Sequence, residues 1–91
     1  MKHHRTTQQI LVDVMTIASE DSHVPITKLC RKSNLSYNRL KGFLNNLTSS
    51  GLMNKIEYDG KNTFVVTARG RQCLEAYKSH MELVESFGLE I

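Results

Sequence analysis

The sequence has little cysteine, little proline and no long apolar run. Its two cysteines, Cys30 and Cys73, form no CxxC pair, so we expect both to be reduced core residues, with a disulfide or a redox switch as the alternative. No apolar run approaches the roughly 20 residues needed to cross a membrane. Residues 1–5 lack the apolar segment of a signal peptide, which predicts a cytoplasmic protein.

Motifs of catalysis and metal binding are also missing. The chain has no glycine-rich phosphate loop, no GxSxG, no HExxH and no clustered carboxylates. Its histidines do not have zinc-finger spacing. The sequence therefore predicts a protein that is not an enzyme and holds neither a cofactor nor a metal.

Acidic residues are absent from one long stretch. Residues 22–56 contain six basic residues and no acidic one, whereas residues 72–91 contain four glutamates and one lysine. Segregated charge indicates that one face meets a polyanion while another does not. The alternative is chance clustering in a protein whose net charge is only +3.

The clearest periodic pattern lies in residues 25–51. It predicts a helix over 26–33, a turn at Asn34 and Leu35, and a third helix over 36–50 with Ser36 as its N-cap. The apolar stripe of the third helix, with spacings of three and four, is formed by Tyr37, Leu40, Leu44 and Leu47. Two short helices joined by such a turn are typical of a helix-turn-helix.

The flanking segments complete a winged helix. A first helix is predicted over 6–20 and a short strand at Val24, while strands over 52–58 and 63–66 flank an Asp59-Gly60 hairpin turn, with Lys61 and Asn62 at its tip. Thr67 caps a last helix over about 68–87. We therefore predict a mainly α (α+β) winged helix-turn-helix with three helices, a β-hairpin wing and a C-terminal dimerisation helix. Residues 1–91 form one domain, with a core over 6–66 and the C-terminal helix over 67–87.

The outward face of the third helix carries amides and cations but no carboxylate. Asn38 and Asn45 are two turns apart and can enter one major groove, where asparagine matches adenine and Arg39 matches guanine. Gly42 would let the backbone approach the duplex closely. Phosphate contacts are expected from Lys28, Lys32, Ser36 and Lys41, further contacts from Asn46 beside this face, and wing contacts from Lys55, Lys61 and Asn62. The alternative is that these side chains only solvate the surface.

The chain resembles the archaeal ArnR-like winged helix-turn-helix proteins over about residues 8–84. The matching patterns are Leu35-Ser36-Tyr37-x-x-Leu40-Lys41-x-x-Leu44-x-x-Leu47, Gly51-Leu52-Met53, Tyr58, and Thr67-x-x-Gly70-x-x-x-Leu74-x-x-Tyr77. The resemblance implies double-stranded DNA binding, antiparallel dimerisation through the C-terminal helix, and no cofactor. The last helix is shorter than in members with a long coiled coil.

The end of the last helix also points to a second chain. Its apolar residues extend up to about 20 Å beyond Cys73 at 1.5 Å per residue, too far for a small domain to cover alone. The predicted dimer interface comprises Tyr77, Met81, Leu83, Val84 and Phe87.

Two functions remain open. The first is a sequence-selective or architectural DNA-binding homodimer on the nucleoid that acts as a transcriptional regulator. The second is a winged-helix module that binds a protein in a transcription-related assembly. The second would favour exposed apolar residues on the third helix, where only Phe43 comes near, so the sequence favours DNA.

Overall fold

The computed structural model describes residues 5–88, which contain four helices and three strands. The helices are α1 (Thr7–Ser19), α2 (Ile26–Ser33), α3 (Tyr37–Ser49) and α4 (Ala68–Ser86). The strands are β1 (Val24–Pro25), β2 (Met53–Tyr58) and β3 (Lys61–Val66). This architecture confirms the predicted winged helix. None of the helices in the described range is long and apolar enough to span a bilayer.

Hydroxyl side chains begin three of the helices. Thr6 forms a capping box with Gln9, in which the Gln9 amide donates to the Thr6 hydroxyl oxygen at 3.1 Å and the Thr6 amide donates to Oε1 of Gln9 at 2.8 Å. Ser36 caps α3 and Thr67 caps α4, as predicted. These side chains satisfy amides that have no partner within their helix, and so fix where each helix starts.

The wing is an antiparallel hairpin whose second strand is central in the sheet. The strand order is β1-β3-β2, and Asp59 and Gly60 both adopt positive φ, 55° and 76°, as a type I′ turn requires. Lys61 and Asn62 were expected at the tip, but they already pair with Tyr58 and Glu57 within the ladder. The expectation was wrong because the two-residue turn lets β3 start immediately after Gly60.

One apolar core joins α1, the helix-turn-helix and the sheet. Its fully enclosed side chains include Val14, Val24, Leu29, Leu40, Leu44, Leu47 and Met53. The three leucines on α3 form the inward stripe predicted from sequence, so the opposite side of α3 is turned outward. At the base of α4, Gly70 lies directly against the Leu52 carbonyl, which holds α4 onto the start of the wing.

Three residues that were predicted to lie in the core are partly or largely exposed to solvent. Cys73 is exposed and Cys30 is half-buried; Cys73 lies about 100° around α4 from the buried Leu74 because successive helical residues are separated by that angle. Tyr37 is 52% exposed. It is the first residue of α3, where side chains lean toward the N-terminus and so extend beyond the end of the helix.

Candidate nucleic-acid interface

The outward face of α3 is fully solvent-facing and free of carboxylates. The predicted contact residues on it are all exposed: Asn38, Arg39, Lys41, Gly42, Asn45 and Asn46. Leu40, Leu44 and Leu47 anchor the other side of the same helix in the core. The arrangement presents amide and cationic groups on one rigid helix, which is the geometry that a major groove accepts.

Two cations on this face lie against aromatic rings of their own helix. The Arg39 guanidinium carbon is 5.9 Å from the Phe43 ring centroid, and Nζ of Lys41 is 5.8 Å from the Tyr37 centroid. Such cation–π contacts restrict where the charged groups point. The rings therefore help to hold both charges near the surface of α3.

A groove of about 150 Å³ separates α3 from the wing and brings together candidates from both elements. Lys41 and Asn45 line it from α3, while Lys55 and Asn62 line it from the hairpin. The ladder pairs Lys55 with Phe64, which places the lysine beside the apolar floor of the groove. Polar residues from two elements, α3 and the hairpin, thus line one groove.

Lys61 does not share this face of the hairpin. Side chains alternate across a strand, so Lys61 and its neighbour Asn62 point to opposite faces. Glu57 pairs with Asn62 and therefore shares the groove side of the hairpin with Lys55. The wing thus presents one carboxylate on the same face of the hairpin as Lys55, although Glu57 does not line the groove itself.

The lysines of α2 already have acidic partners from the loop after α1. Nζ of Lys28 is 3.0 Å from Asp21 and Nζ of Lys32 is 4.0 Å from Glu20. The hydrogen bond from Lys28 lowers the pKa of the Asp21 carboxyl, with help from the Ser22 amide. Although residues 22–56 contain no acidic residue, carboxylates from the preceding loop therefore lie next to α2. To bind a phosphate, each of these lysines would have to leave its carboxylate partner.

Ser36 serves the helix terminus. Its hydroxyl oxygen accepts from the Arg39 amide at 3.3 Å, which leaves the hydroxyl hydrogen free to donate. The N-terminus of α3 also favours anions because its first amides and the helix dipole are positive. Ser36 thus starts α3 and keeps a hydroxyl donor exposed at the helix N-terminus.

Tyr37 is a surface residue that the sequence pattern did not predict. Its ring lines the groove next to Lys41 and Asn45, although the periodicity placed it on the inward stripe. Its position could have indicated this exposure. Tyr37 is the first residue of α3, directly after the N-cap, and no earlier turn of the helix lies beside its side chain to cover it. A second missed contact joins the loop before β1 to the wing, where the His23 and Tyr58 rings stack with centroids 4.0 Å apart.

The predicted dimer residues on α4 do not form one uniform surface. Leu83 and Phe87 are 55% and 68% exposed, whereas Val84 is only 7% exposed. Tyr77 and Met81 are half-buried. Val84 therefore needs no second chain to cover it, contrary to the argument made from helix length, and the uncovered apolar surface belongs to Leu83 and Phe87.

Comparison with known proteins gives a family and a fold. A family model described as winged helix-turn-helix matches residues 4–85. A comparison with curated proteins finds no match.

Several solved structures are similar to this chain. Sso10a-2, a DNA-binding protein from Sulfolobus solfataricus, aligns with a TM-score of 0.76 at 18% identity, covering 91% of this chain and 85% of its own. A MarR family transcriptional regulator from Silicibacter pomeroyi aligns with 0.73 at 21% identity, covering 88% and 54%. A MarR family protein from Bacillus stearothermophilus aligns with 0.67 at 14% identity, covering 92% and 60%. This chain thus spans little more than half of the two MarR proteins, and these identities show the fold alone.

Proposed function

Since this chain belongs to the winged helix-turn-helix family, we propose that it binds double-stranded DNA as a homodimer and acts as a transcriptional regulator or an architectural DNA-binding protein. The observation that carries the proposal is the outward face of α3. That face combines exposed amides and cations with no carboxylate, and three buried leucines fix its direction.

In the proposed complex, α3 enters the major groove and the wing follows the adjacent backbone. Asn38, Arg39 and Asn45 read base edges by the amide–adenine and guanidinium–guanine pairings that groove geometry allows. Lys41, Lys55 and Asn62 meet phosphates from the rim of the groove between α3 and the wing. The α2 lysines add charge only when they exchange Asp21 and Glu20 for phosphate.

Several finer assignments form part of the same proposal. The resemblance to ArnR-like proteins points to a dimer formed through α4, and the exposed Leu83 and Phe87 support it. Sso10a-2 is a DNA-binding protein and the Silicibacter protein a transcriptional regulator, which supports a non-enzymatic role on DNA. Such a role places the protein in the cytoplasm with the nucleoid.

A titration of duplex DNA at two salt concentrations tests the function. Binding through phosphates releases counterions, so log affinity falls with log salt by a slope of about −0.9 for each phosphate neutralised. The double variant Asn38→Ala plus Arg39→Ala should weaken binding by about a hundredfold or more, because each base-reading pair contributes about 1–3 kcal/mol. Arg71→Ala is the matched control, because Arg71 is an exposed cation on α4, away from this face.

The same titration separates DNA binding from the alternative function. Affinity that is insensitive both to salt and to the α3 double variant would contradict the proposal and favour a protein-binding module. Equal losses in the double variant and in Arg71→Ala would also contradict it, because they would show that only overall charge matters.

A further inference from the structure

An open apolar cleft of about 370 Å³ lies between α1 and α4, away from the polar face of α3. Leu11 and Met15 contribute from α1. The part of its wall formed by α4 consists of Cys73, Ala76, Tyr77 and His80. The lining is mostly apolar, which favours burial of a hydrophobic group, and Ala76 is the smallest side chain in it.

The α4 wall of the cleft continues into the exposed end of the same helix. From Ala76, steps of four, three and four reach His80, Leu83 and Phe87, the spacing of a heptad seam. Leu83 and Phe87 are among the most exposed large apolar side chains in the described part of the chain, at 55% and 68%. The same face of α4 therefore lines the cleft at Ala76 and His80 and exposes large apolar side chains at Leu83 and Phe87.

We propose that the occupant of this cleft is Phe87 from a second copy of the chain, in an antiparallel α4–α4 pair. A coiled-coil knob inserts between four residues of the facing helix at successive seam positions. Cys73, Ala76, Tyr77 and His80 form such a set of four, and they are the residues that line the cleft. This register rests on the proposed homodimer and specifies how its two helices meet.

The register follows from two-fold symmetry. With Phe87 of one copy opposite Ala76 of the other, Leu83 lies opposite His80 of the other copy, and each contact occurs twice, as an isologous interface requires. In this register the large Phe87 side chain faces the small Ala76 of the other copy and enters its cleft. A parallel pair would place Phe87 against its own equivalent and leave both clefts empty.

The surface of the chain agrees with a missing partner. Its accessible area is 6410 Å², whereas a compact monomer of this mass exposes about 5,400 Å². The excess is similar to the roughly 800 Å² that each partner buries in an interface of standard size. A second copy of the chain provides a partner large enough to cover this excess.

Cysteine cross-linking tests the register directly. Two single variants, Ala76→Cys and Phe87→Cys, are made in a Cys30→Ser plus Cys73→Ser background and oxidised separately and as a mixture. In the proposed register each new thiol faces the other, but equivalent thiols lie about 16 Å apart along the pair. Because a disulfide needs Cα atoms within about 7 Å, we expect a covalent dimer in the mixture and none in either variant alone.

The possible outcomes separate the register from the function. Covalent dimers in each variant alone would indicate a parallel pair and overturn the register. No cross-link in a chain that is dimeric by solution mass would place the interface elsewhere. A monomer whose cleft binds an apolar dye would overturn both the register and the dimer, while the duplex titration would still decide whether the protein binds DNA.

A second measurement avoids engineered thiols. Phe87→Ala should weaken dimerisation by about a thousandfold, because two buried aromatic anchors are lost in each dimer. Glu82→Ala is the control, since Glu82 is also exposed on α4 but lies on the side away from the seam. Equal dimer dissociation constants for the two variants would overturn the proposal.

Discussion

Gly42 is a residue that the packing of the described chain does not require but that DNA binding would explain. A Cβ built at Gly42 meets no atom within 4 Å, so nothing inside the described chain requires a glycine there. Glycine in a helix interior costs close to 1 kcal/mol relative to alanine. The open space beside Gly42 lies on the proposed DNA face, and close approach of a duplex would explain the glycine.

Gly42→Ala should therefore raise stability and lower DNA affinity together. We expect the free energy of unfolding to increase by about 1 kcal/mol, measured by urea denaturation, while the added methyl group weakens duplex binding. Ser49→Ala, on the same exposed side of α3 near its end, is the control for a general change of the surface. A Gly42→Ala protein that binds DNA as tightly as the parent would show that close approach is not the reason for the glycine.

Tyr37 is the second residue with a predicted role on the DNA face. Its ring is half-exposed, borders the groove and carries Lys41 above it. Tyr37→Ala should weaken duplex binding by about fivefold, because the loss of a cation–π contact of about 1 kcal/mol frees the lysine. Tyr37→Phe keeps the ring and should retain most of the affinity in the same titration. If both variants bind like the parent, Tyr37 takes no part.

At the scale of elements, the junction of α4 with the wing leaves no space for a larger side chain at Gly70. A Cβ on Gly70 would collide with the Leu52 carbonyl and would lie 2.7 Å from Cγ1 of Val66. The Thr67 hydroxyl also donates to the Gly51 carbonyl at 2.7 Å across this junction. The start of α4 is thus held against backbone, which cannot move aside as a flexible side chain can.

Gly70→Ala should destabilise the fold despite the better helix propensity of alanine. We expect a loss of about 1–3 kcal/mol, the usual cost of overpacking, seen as a lower midpoint in urea. Gln72→Ala, two residues along α4 and exposed, should change stability by less than about 0.5 kcal/mol. An unchanged midpoint for Gly70→Ala would mean that α4 shifts freely on the wing.

The elements were predictable where local chemistry defines them. Ser36 and Thr67 mark helix starts because a hydroxyl in that position satisfies free amides, and Asp59-Gly60 marks the turn because both residues adopt positive φ. The start of β3 was misjudged because strand pairing, which sequence patterning does not show, extends the ladder to the turn. The ion pair between Lys28 and Asp21 was missed for a similar reason: the loop between α1 and α2 folds back in space.

The candidate site was predictable in composition but not in geometry. The amides and cations of α3 could be identified from helical periodicity alone. The groove that gathers Lys41 and Lys55 depends on how the hairpin packs beside α3, and on a register that pairs Lys55 with Phe64. The burial of Val84 within a single chain likewise depends on tertiary packing, which cannot be predicted from the heptad spacing of α4.

The whole molecule is more extended than its length requires. Its radius of gyration is 13.9 Å and its extents are 48 × 32 × 21 Å, whereas a compact chain of this length has a radius of about 12 Å. The exposed Leu83 and Phe87 lie near the end of α4, on either side of the buried Val84. A single copy therefore leaves the distal part of this helix with apolar surface in water.

If a second copy covers that surface, stability must depend on protein concentration. Association favours the folded dimer by mass action, and an unfolding enthalpy of about 0.7 kcal/mol per residue over two chains predicts a rise in Tm of about 4 °C for each tenfold increase in concentration. Scanning calorimetry over a hundredfold concentration range measures this slope. Phe87→Ala should flatten it, whereas Glu82→Ala should not. A parent Tm that stays constant over that range would show that the folded state is complete in one chain, and that the exposed end of α4 serves something other than self-association.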